Sequence, residues 1–390
     1  DALGCMPTFD GSAISDLLRD AVARGDLPGV VVTVQDRDGT RFQTTHGDLP
    51  DGARTMFRYA SMTKALTSVA ALQLVEAGRL DLDAPVASIL PAFGEAQVLV
   101  GFDGDTPRLR PPARAATIRN LLTHTSGHGY LFINADLHRY HRVTGLPTVF
   151  DGRLAALRAP LVHDPGTRWE YGISTDWLGQ VVEHVSGQTL DAYLAQHVFA
   201  LLGMRDATFT PSAAQRARLM PLRARQADGT LAPSPLDLPA ATEFQAGGHG
   251  AYGTPDDYGR FVRALLRGGE LDGARILRSE TVDLMFSDQL QGIPMPTSTP
   301  AVMPEWTNEV PAPPVPQTWG LGLQVSLADI PGMRPAGTGS WAGIFNSYYW
   351  IDRTNGIAVT LFTQVLPFFD TGVVPTLIGV EQAVYAQVAR

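Results

Sequence analysis

The sequence predicts a mixed α/β fold of the α+β type: an antiparallel sheet flanked by helices, with a helical region inserted into the chain. Three observations predict it. Runs rich in β-branched residues stand near the two chain ends. No helical segment separates successive strands within the C-terminal set, which implies antiparallel pairing. Between the two ends, residues 80–316 read as helical pieces divided by Gly/Pro loops. The sheet part is therefore expected from residues 1–84 and 312–390, and the mainly helical part from 85–311. The functional site should lie between them, in one unit.

Taken in order, residues 10–25 carry an amphipathic helical pattern. Gly29-Val30-Val31-Val32-Thr33-Val34 and Thr40-Arg41-Phe42-Gln43-Thr44, around Asp38-Gly39, form a hairpin. The helix after Ser61 carries Ala65, Leu66, Val69, Ala70, Leu72, Gln73 and Val75 and closes at Gly78. It is apolar nearly all round and belongs in the core. Strands return over residues 321–326, 344–351 and 356–363, before a closing helix over about 376–388. Tyr348-Tyr349-Trp350 should alternate across its strand. Residues 291–316 hold eight prolines and form an extended irregular arm, expected as a surface strap or subunit contact.

Composition excludes several classes. With 390 residues, 44% of them hydrophobic, the chain can bury one large core or two interleaved ones. A net charge of −9 and no basic run argue against nucleic acid. One cysteine, Cys5, rules out a disulfide framework and any multi-cysteine metal site. No apolar run reaches the roughly 18–20 residues needed to span a membrane. Residue 1 is Asp, so processing is expected, and Ala2-Leu3-Gly4-Cys5 faintly resembles a lipoprotein cleavage site without the preceding apolar segment. Cytoplasmic location is the expectation, with periplasm or secretion as alternatives. Oligomeric state is not legible.

Positive charge comes from 29 arginines and a single lysine, Lys64. Arginine bias matches a GC-rich coding preference, which does not explain where the lysine is kept. A guanidinium stays protonated, whereas a crowded ammonium can give up its proton. Lys64 follows Ser61 by three residues, so on a helix both lie on one face. A serine at a helix start also meets free N–H groups and the positive end of the dipole. The pair is a candidate activated nucleophile. S-x-x-K alone is a weak signal.

The wider pattern is specific. Phe57-Arg58-Tyr59-Ala60-Ser61-Met62-Thr63-Lys64, then Leu80-Asp81-Leu82-Asp83-Ala84-Pro85-Val86, then Leu121-Leu122-Thr123-His124-Thr125-Ser126-Gly127 resembles the serine β-lactamase and penicillin-binding-protein superfamily, class C branch. Pro165-Gly166, Tyr171, Leu178-Gly179 and Ser186-Gly187 continue the match over nearly the whole chain. Within the superfamily it is most similar to the family VIII carboxylesterases. The resemblance implies a β-lactamase-like fold, Ser61 as nucleophile, and Tyr171 as partner base or proton shuttle beside Lys64. Which of the two takes the serine proton stays open. The Y-x-N motif departs here to Tyr171-Gly172-Ile173, and K-T-G to Trp341-Ala342-Gly343. The lactamase lysine at that place helps bind a substrate carboxylate, and a tryptophan suits neutral esters better. Trp341 and Gly343 would then bind substrate, on an edge strand. The backbone N–H groups of Ser61 and Ile344 would form the oxyanion hole.

The expected activity is hydrolysis of short-chain neutral esters through an acyl-enzyme on Ser61, with a small-molecule ester as partner and no metal or cofactor. Amidase, D-aminopeptidase, β-lactamase or acyltransferase chemistry on the same nucleophile are alternatives, as is a penicillin-binding sensor that acylates and stops. Other signals fall away. Gly248-His249-Gly250-Ala251-Tyr252-Gly253 spells G-x-G-x-x-G, but residues 241–246 are not the strand that a dinucleotide site needs, so it reads as a glycine loop near the pocket. His124/His128 and His138/His141 lack an acidic third ligand. No G-x-S-x-G elbow supports an α/β-hydrolase.

Overall fold

The computed structural model describes residues 8–388; the lipoprotein-like stretch with Cys5 lies outside them. Helix α1 (Ser12–Ala23) leads into the hairpin β1 (Gly29–Asp36) and β2 (Thr40–Gly47). Three helices of the following region position the site: α2 (Thr63–Glu76), α3 (Ser174–Ser186) and α4 (Pro255–Leu266). The chain then returns to β3 (Gln317–Trp319), β4 (Gln324–Ser326), β5 (Gly339–Gly343), β6 (Ser347–Asp352) and β7 (Ile357–Phe362), and closes with α5 (Val373–Tyr385). These strands form one seven-stranded sheet, antiparallel throughout, in the order β3-β4-β5-β6-β7-β1-β2.

The β1–β7 pairing, with Val31 opposite Phe362 and Val34 opposite Val359, joins the two chain ends. Side-chain alternation then builds two cores. Val30, Val32, Val34, Trp350 and Val359 pack with Ile14 and Leu18 of α1 and Val380 and Val384 of α5. Val31, Tyr349, Ile351, Ala358 and Phe362 face the other way, toward α4 and α2. The expected split of Tyr348-Tyr349-Trp350 across the sheet is thus met, and all three rings are buried. Helix α2 is a core helix: every residue from Thr63 to Leu72 is buried.

Several boundaries differ from the sequence reading, each for a local reason. The strand expected from residue 344 begins at Ser347, because Ile344–Asn346 form a three-residue hairpin loop. Asn346 occupies its left-handed position (φ 67°), as such loops require. The strand expected over 321–326 is interrupted: Gly320 N–H donates to Leu323 O at 2.8 Å, and Gly322 (φ 99°) lies against Ser68. The closing helix starts three residues early, at Val373, since Pro375 is tolerated in a first turn. The middle region also holds β structure that the helical reading missed. Val98–Asp103 pairs with Thr106–Arg110 across a Gly104-Asp105 turn, a legible hairpin signal, and Arg223–Arg225 pairs with Leu231–Pro233.

Helix α5 is tied to the sheet by a buried polar chain. Trp350 Nε1–H donates to Tyr385 OH (3.2 Å), which donates to Asp352 Oδ2 (2.9 Å). Tyr385→Phe deletes both bonds while conserving shape. It should cost about 1–3 kcal/mol in urea unfolding; an unchanged unfolding midpoint would show these two hydrogen bonds to be dispensable.

Candidate active site

Strand pair Phe57–Arg58 with Tyr252–Gly253 delivers the chain to a single 3-10 turn, Ala60–Met62, that runs straight into α2. Ser61 sits in this turn rather than within the helix. Ala60 adopts a left-handed φ of 49°, a conformation costing about 1–3 kcal/mol for a residue with a Cβ. The turn is pinned by Tyr59, whose hydroxyl donates to Thr254 O at 2.6 Å and whose carbonyl accepts from Met62 N–H at 3.0 Å.

One turn on, Lys64 is 2% exposed. Its ammonium donates to Ser61 Oγ at 3.1 Å, Tyr130 OH at 2.8 Å and Gly248 O at 2.8 Å, which uses all three of its protons. The Tyr171 and Tyr130 rings lie 4.7 and 5.0 Å from Nζ and add cation–π attraction. Tyr171 OH donates to Ser61 Oγ at 2.6 Å and accepts from Trp341 Nε1–H at 3.0 Å. The structure therefore gathers Ser61, Lys64, Tyr171 and Trp341, as the sequence reading expects. Tyr130 is a contact it missed, and Gly248 O is supplied by the glycine loop that it placed near the pocket without assigning a contact. Both lie in glycine-rich stretches, 127–130 and 247–250, which is the signal that could have marked them.

Glycines make the close approaches possible. A Cβ on Gly172 would run into the Gly129 backbone, so the chain after Tyr171 can pass Tyr130 only as glycine. Ile173, where the motif's asparagine would stand, is buried in the core. Residues 121–127 act as a brace: Ser126 Oγ shares hydrogen bonds with Ser174 Oγ (2.7 Å), in the first turn of α3, and with His128 Nδ1 (3.0 Å).

The far wall is β5. A Cβ on Gly343 would stand 2.8 Å from Tyr59 O and 3.4 Å from Ala60 Cβ, so the end of this strand abuts the serine turn. The strand is not an edge, because β3 and β4 lie outside it. Ile344 sits in the loop after it and borders two cavities. One, of about 230 Å³, is lined by Ser61, Trp169, Tyr171 and Trp341. The other, of about 270 Å³, is lined by Ala60, Leu131, Leu222, Phe345 and Leu366. The proline-rich arm, expected as a surface strap or subunit contact, borders both cavities. Thr299, Thr307 and Val310 line the first cavity and Met303 and Trp306 the second. Trp306 is drawn there by Phe132 and Phe150, at 5.7 and 5.0 Å between ring centroids.

Electrostatics around Lys64 is uneven. Burial lifts the Asp176 carboxyl to about 6 against the pull of the Lys64 charge. Burial, with Lys64 adding repulsion, takes His249 down to about 3 and holds His124 well below its usual range. Burial alone takes His128 to about 3. His124 is packed between Tyr171 and Trp319, each 5.1 Å away. Among the described residues no cluster of three His, Cys, Asp or Glu side chains could hold a metal ion.

These values fix a pH dependence of stability. The three histidines are neutral when folded but take a proton near 6.5 when unfolded, so the stability they allow is full above 6.5 and falls as the pH drops below it, for His128 and His249 down to about 3. Asp176 and Asp257, both raised to about 6, act oppositely, stabilising below about 4 and losing this by pH 6. The histidines are more numerous and further displaced, so acid destabilises. The unfolding free energy should be lower at pH 4.5 than at pH 7, with about 2–3 kcal/mol of the loss removed in His128→Gln. A flat profile, or no change in the variant, would contradict this balance.

Comparison with known proteins places this geometry in a family. The beta-lactamase family model matches residues 14–379. The monacolin J acid methylbutanoyltransferase of Aspergillus terreus is 32% identical over 95% of this chain and 94% of its own. The lovastatin esterase of Penicillium rubens is 32% identical over 89% of this chain and 91% of its own. Unliganded simvastatin synthase (LovD) from Aspergillus terreus superposes with a TM-score of 0.80 at 30% identity, covering 96% of this chain and 97% of that one. With a serine nucleophile candidate, a family match over nearly the whole chain and relatives named as acyl-transfer and hydrolytic enzymes, the chain belongs to the beta-lactamase family and is a serine enzyme of its acyl-transfer and hydrolase class.

Proposed function

We propose that the chain is an acyltransferase with an esterase side reaction. Ser61 takes an acyl group from a neutral ester or thioester and passes it to an apolar alcohol, with water as the competing acceptor. The observation that carries the reading is the place of the serine turn between two largely apolar cavities. One cavity can hold the acyl group while the other takes first the leaving group and then an acceptor alcohol, whose apolar lining favours an organic hydroxyl over water. Motif departures alone favour hydrolysis of short-chain neutral esters. Relatives of equal similarity, one named a methylbutanoyltransferase and one an esterase, support a shared acyl-enzyme and a choice of acceptor.

In this reading Ser61 Oγ attacks the carbonyl carbon while the backbone N–H groups of Ser61 and Ile344 receive the developing oxyanion. Tyr171 turns its O–H from Ser61 toward the departing oxygen or sulfur and gives up that proton as it takes the serine's. It both touches Ser61 and lines the 230 Å³ cavity, which Lys64 does not. Lys64, held by three acceptors, supplies the positive field. The acceptor alcohol then enters the same cavity, loses its proton through Tyr171 to Ser61 Oγ, and forms the new ester bond. The four substituents of the tetrahedral carbon diverge, so the acyl chain takes the 270 Å³ cavity beyond Ala60 and Ile344. Trp341 offers this site an apolar wall in place of a cation.

Three measurements test the proposal. With p-nitrophenyl butyrate and an added apolar secondary alcohol, the butyryl ester of that alcohol should accumulate and rise with its concentration, at the expense of butyric acid. Free acid alone at every concentration would leave the esterase reading. A fluorophosphonate should label Ser61, and Ser61→Ala should abolish both products. Lys64→Arg keeps the charge but cannot present one compact ammonium to three acceptors. Its kcat should fall by about 10²-fold or more; a retained rate would reduce Lys64 to bulk electrostatics.

A further inference from the structure

The glycine loop at residues 247–250 fails as a nucleotide fingerprint, yet its glycines are demanded by what packs on them. A Cβ on Gly248 would stand 2.7 Å from Asp176 Oδ2. One on Gly247 would stand 2.8 Å from Thr175 O and 3.0 Å from Thr67 Cγ2. The loop is wedged between the first turn of α3 and α2, one turn beyond Lys64.

Its peptides are pinned in sequence. Thr67 Oγ1–H donates to Gly247 O at 2.8 Å, and Gly248 N–H donates to Asp176 Oδ1 at 3.1 Å. His249 N–H donates to Ala246 O at 3.1 Å, which sets the plane of the peptide whose carbonyl accepts from Lys64. Glycine has the widest backbone freedom, so a carbonyl on Gly248 holds its aim only if the flanking groups are anchored. Asp176 is that anchor on the α3 side.

The carboxylate is a poor choice for folding alone. Asp176 is wholly buried, and its Oδ2 has no hydrogen-bond partner among the described residues. The His249 Nδ1 atom is 3.9 Å from Oδ1, beyond hydrogen-bond reach. A half-satisfied buried carboxyl costs stability that an apolar residue would not. Its Oδ1 bond to the loop that meets Lys64 is the return.

We propose that Asp176 is a positioning residue: through Gly248 it holds the carbonyl that orients the Lys64 ammonium on Ser61. The inference rests on the reading of Ser61 and Lys64 given above. Asp176→Ala removes the anchor; Asp176→Asn keeps an oxygen that can accept the same N–H.

With a p-nitrophenyl ester, Asp176→Ala should lose about 10²-fold in kcat with KM little changed, the scale of a misplaced reacting group. Fluorophosphonate labelling of Ser61 should slow by a similar factor. Asp176→Asn, with a neutral acceptor in place of a charged one, should recover to within about tenfold of wild type. Should the alanine variant fail to fold, Asp176→Glu, which displaces the acceptor oxygen by one methylene, takes its place with the same expected loss. Wild-type kcat in Asp176→Ala, or in Asp176→Glu where that variant stands in, overturns the proposal. So does an asparagine variant as impaired as the variant lacking the anchor. Wild-type protein that does not label at Ser61 overturns the site reading itself, and this inference with it.

Discussion

Burying the Lys64 ammonium is the constraint on which the site depends. A buried charge is costly unless every donor finds an acceptor, and here the three acceptors come from three separate stretches of chain. Ser61 stands one turn earlier, Tyr130 follows the 121–127 brace, and Gly248 lies in the loop held against α3. Each must approach the same point on α2. That requirement explains the glycines at 129, 172, 247 and 248, where any Cβ would strike backbone or side chain. A guanidinium could not meet these acceptors, being planar and larger. The one lysine in an otherwise arginine-only chain stands where a compact cation is needed.

The surroundings of that cation divide by chemistry. Aromatic groups form the wall on the Tyr171 side: Trp341 lies 5.0 Å and His124 5.1 Å from the Tyr171 ring, and Trp169 stacks on it at 6.1 Å. These rings exclude water and strengthen the local electrostatics. Neutral histidines leave the positive field to Lys64. Trp341 also gives Tyr171 a hydrogen bond, so the position that departs from the K-T-G pattern both removes a cation and steadies the phenol.

In the proposed transfer reaction, acceptor choice is a matter of access. The proline-rich arm carries Met303 and Trp306 over one cavity and Thr307 and Val310 over the other, so it covers the space where acyl group and alcohol would meet. Its prolines suit an extended cover with few backbone donors to satisfy. A covered, apolar site favours an organic hydroxyl over water by burial, with no special chemistry required of the catalytic groups.

Much of this molecule is legible in its sequence. Runs of β-branched residues mark strands at both ends, because such side chains fit the pleated, buried surface of a sheet. An all-round apolar helix after Ser61 had no place except the core. The i, i+3 spacing set Ser61 beside Lys64 through local geometry alone, and the motif at Tyr171 marked its partner. What needed the tertiary structure are contacts between residues far apart in the chain. Tyr130 and Gly248 reach Lys64 across 66 and 184 residues, and Asp176 reaches Gly248 across 72. The role of the arm at 291–316 was likewise hidden, since prolines declare an irregular path but not what it covers. Local sequence specifies conformation over a few residues. Which distant segments share one buried charge is decided only when the whole core packs.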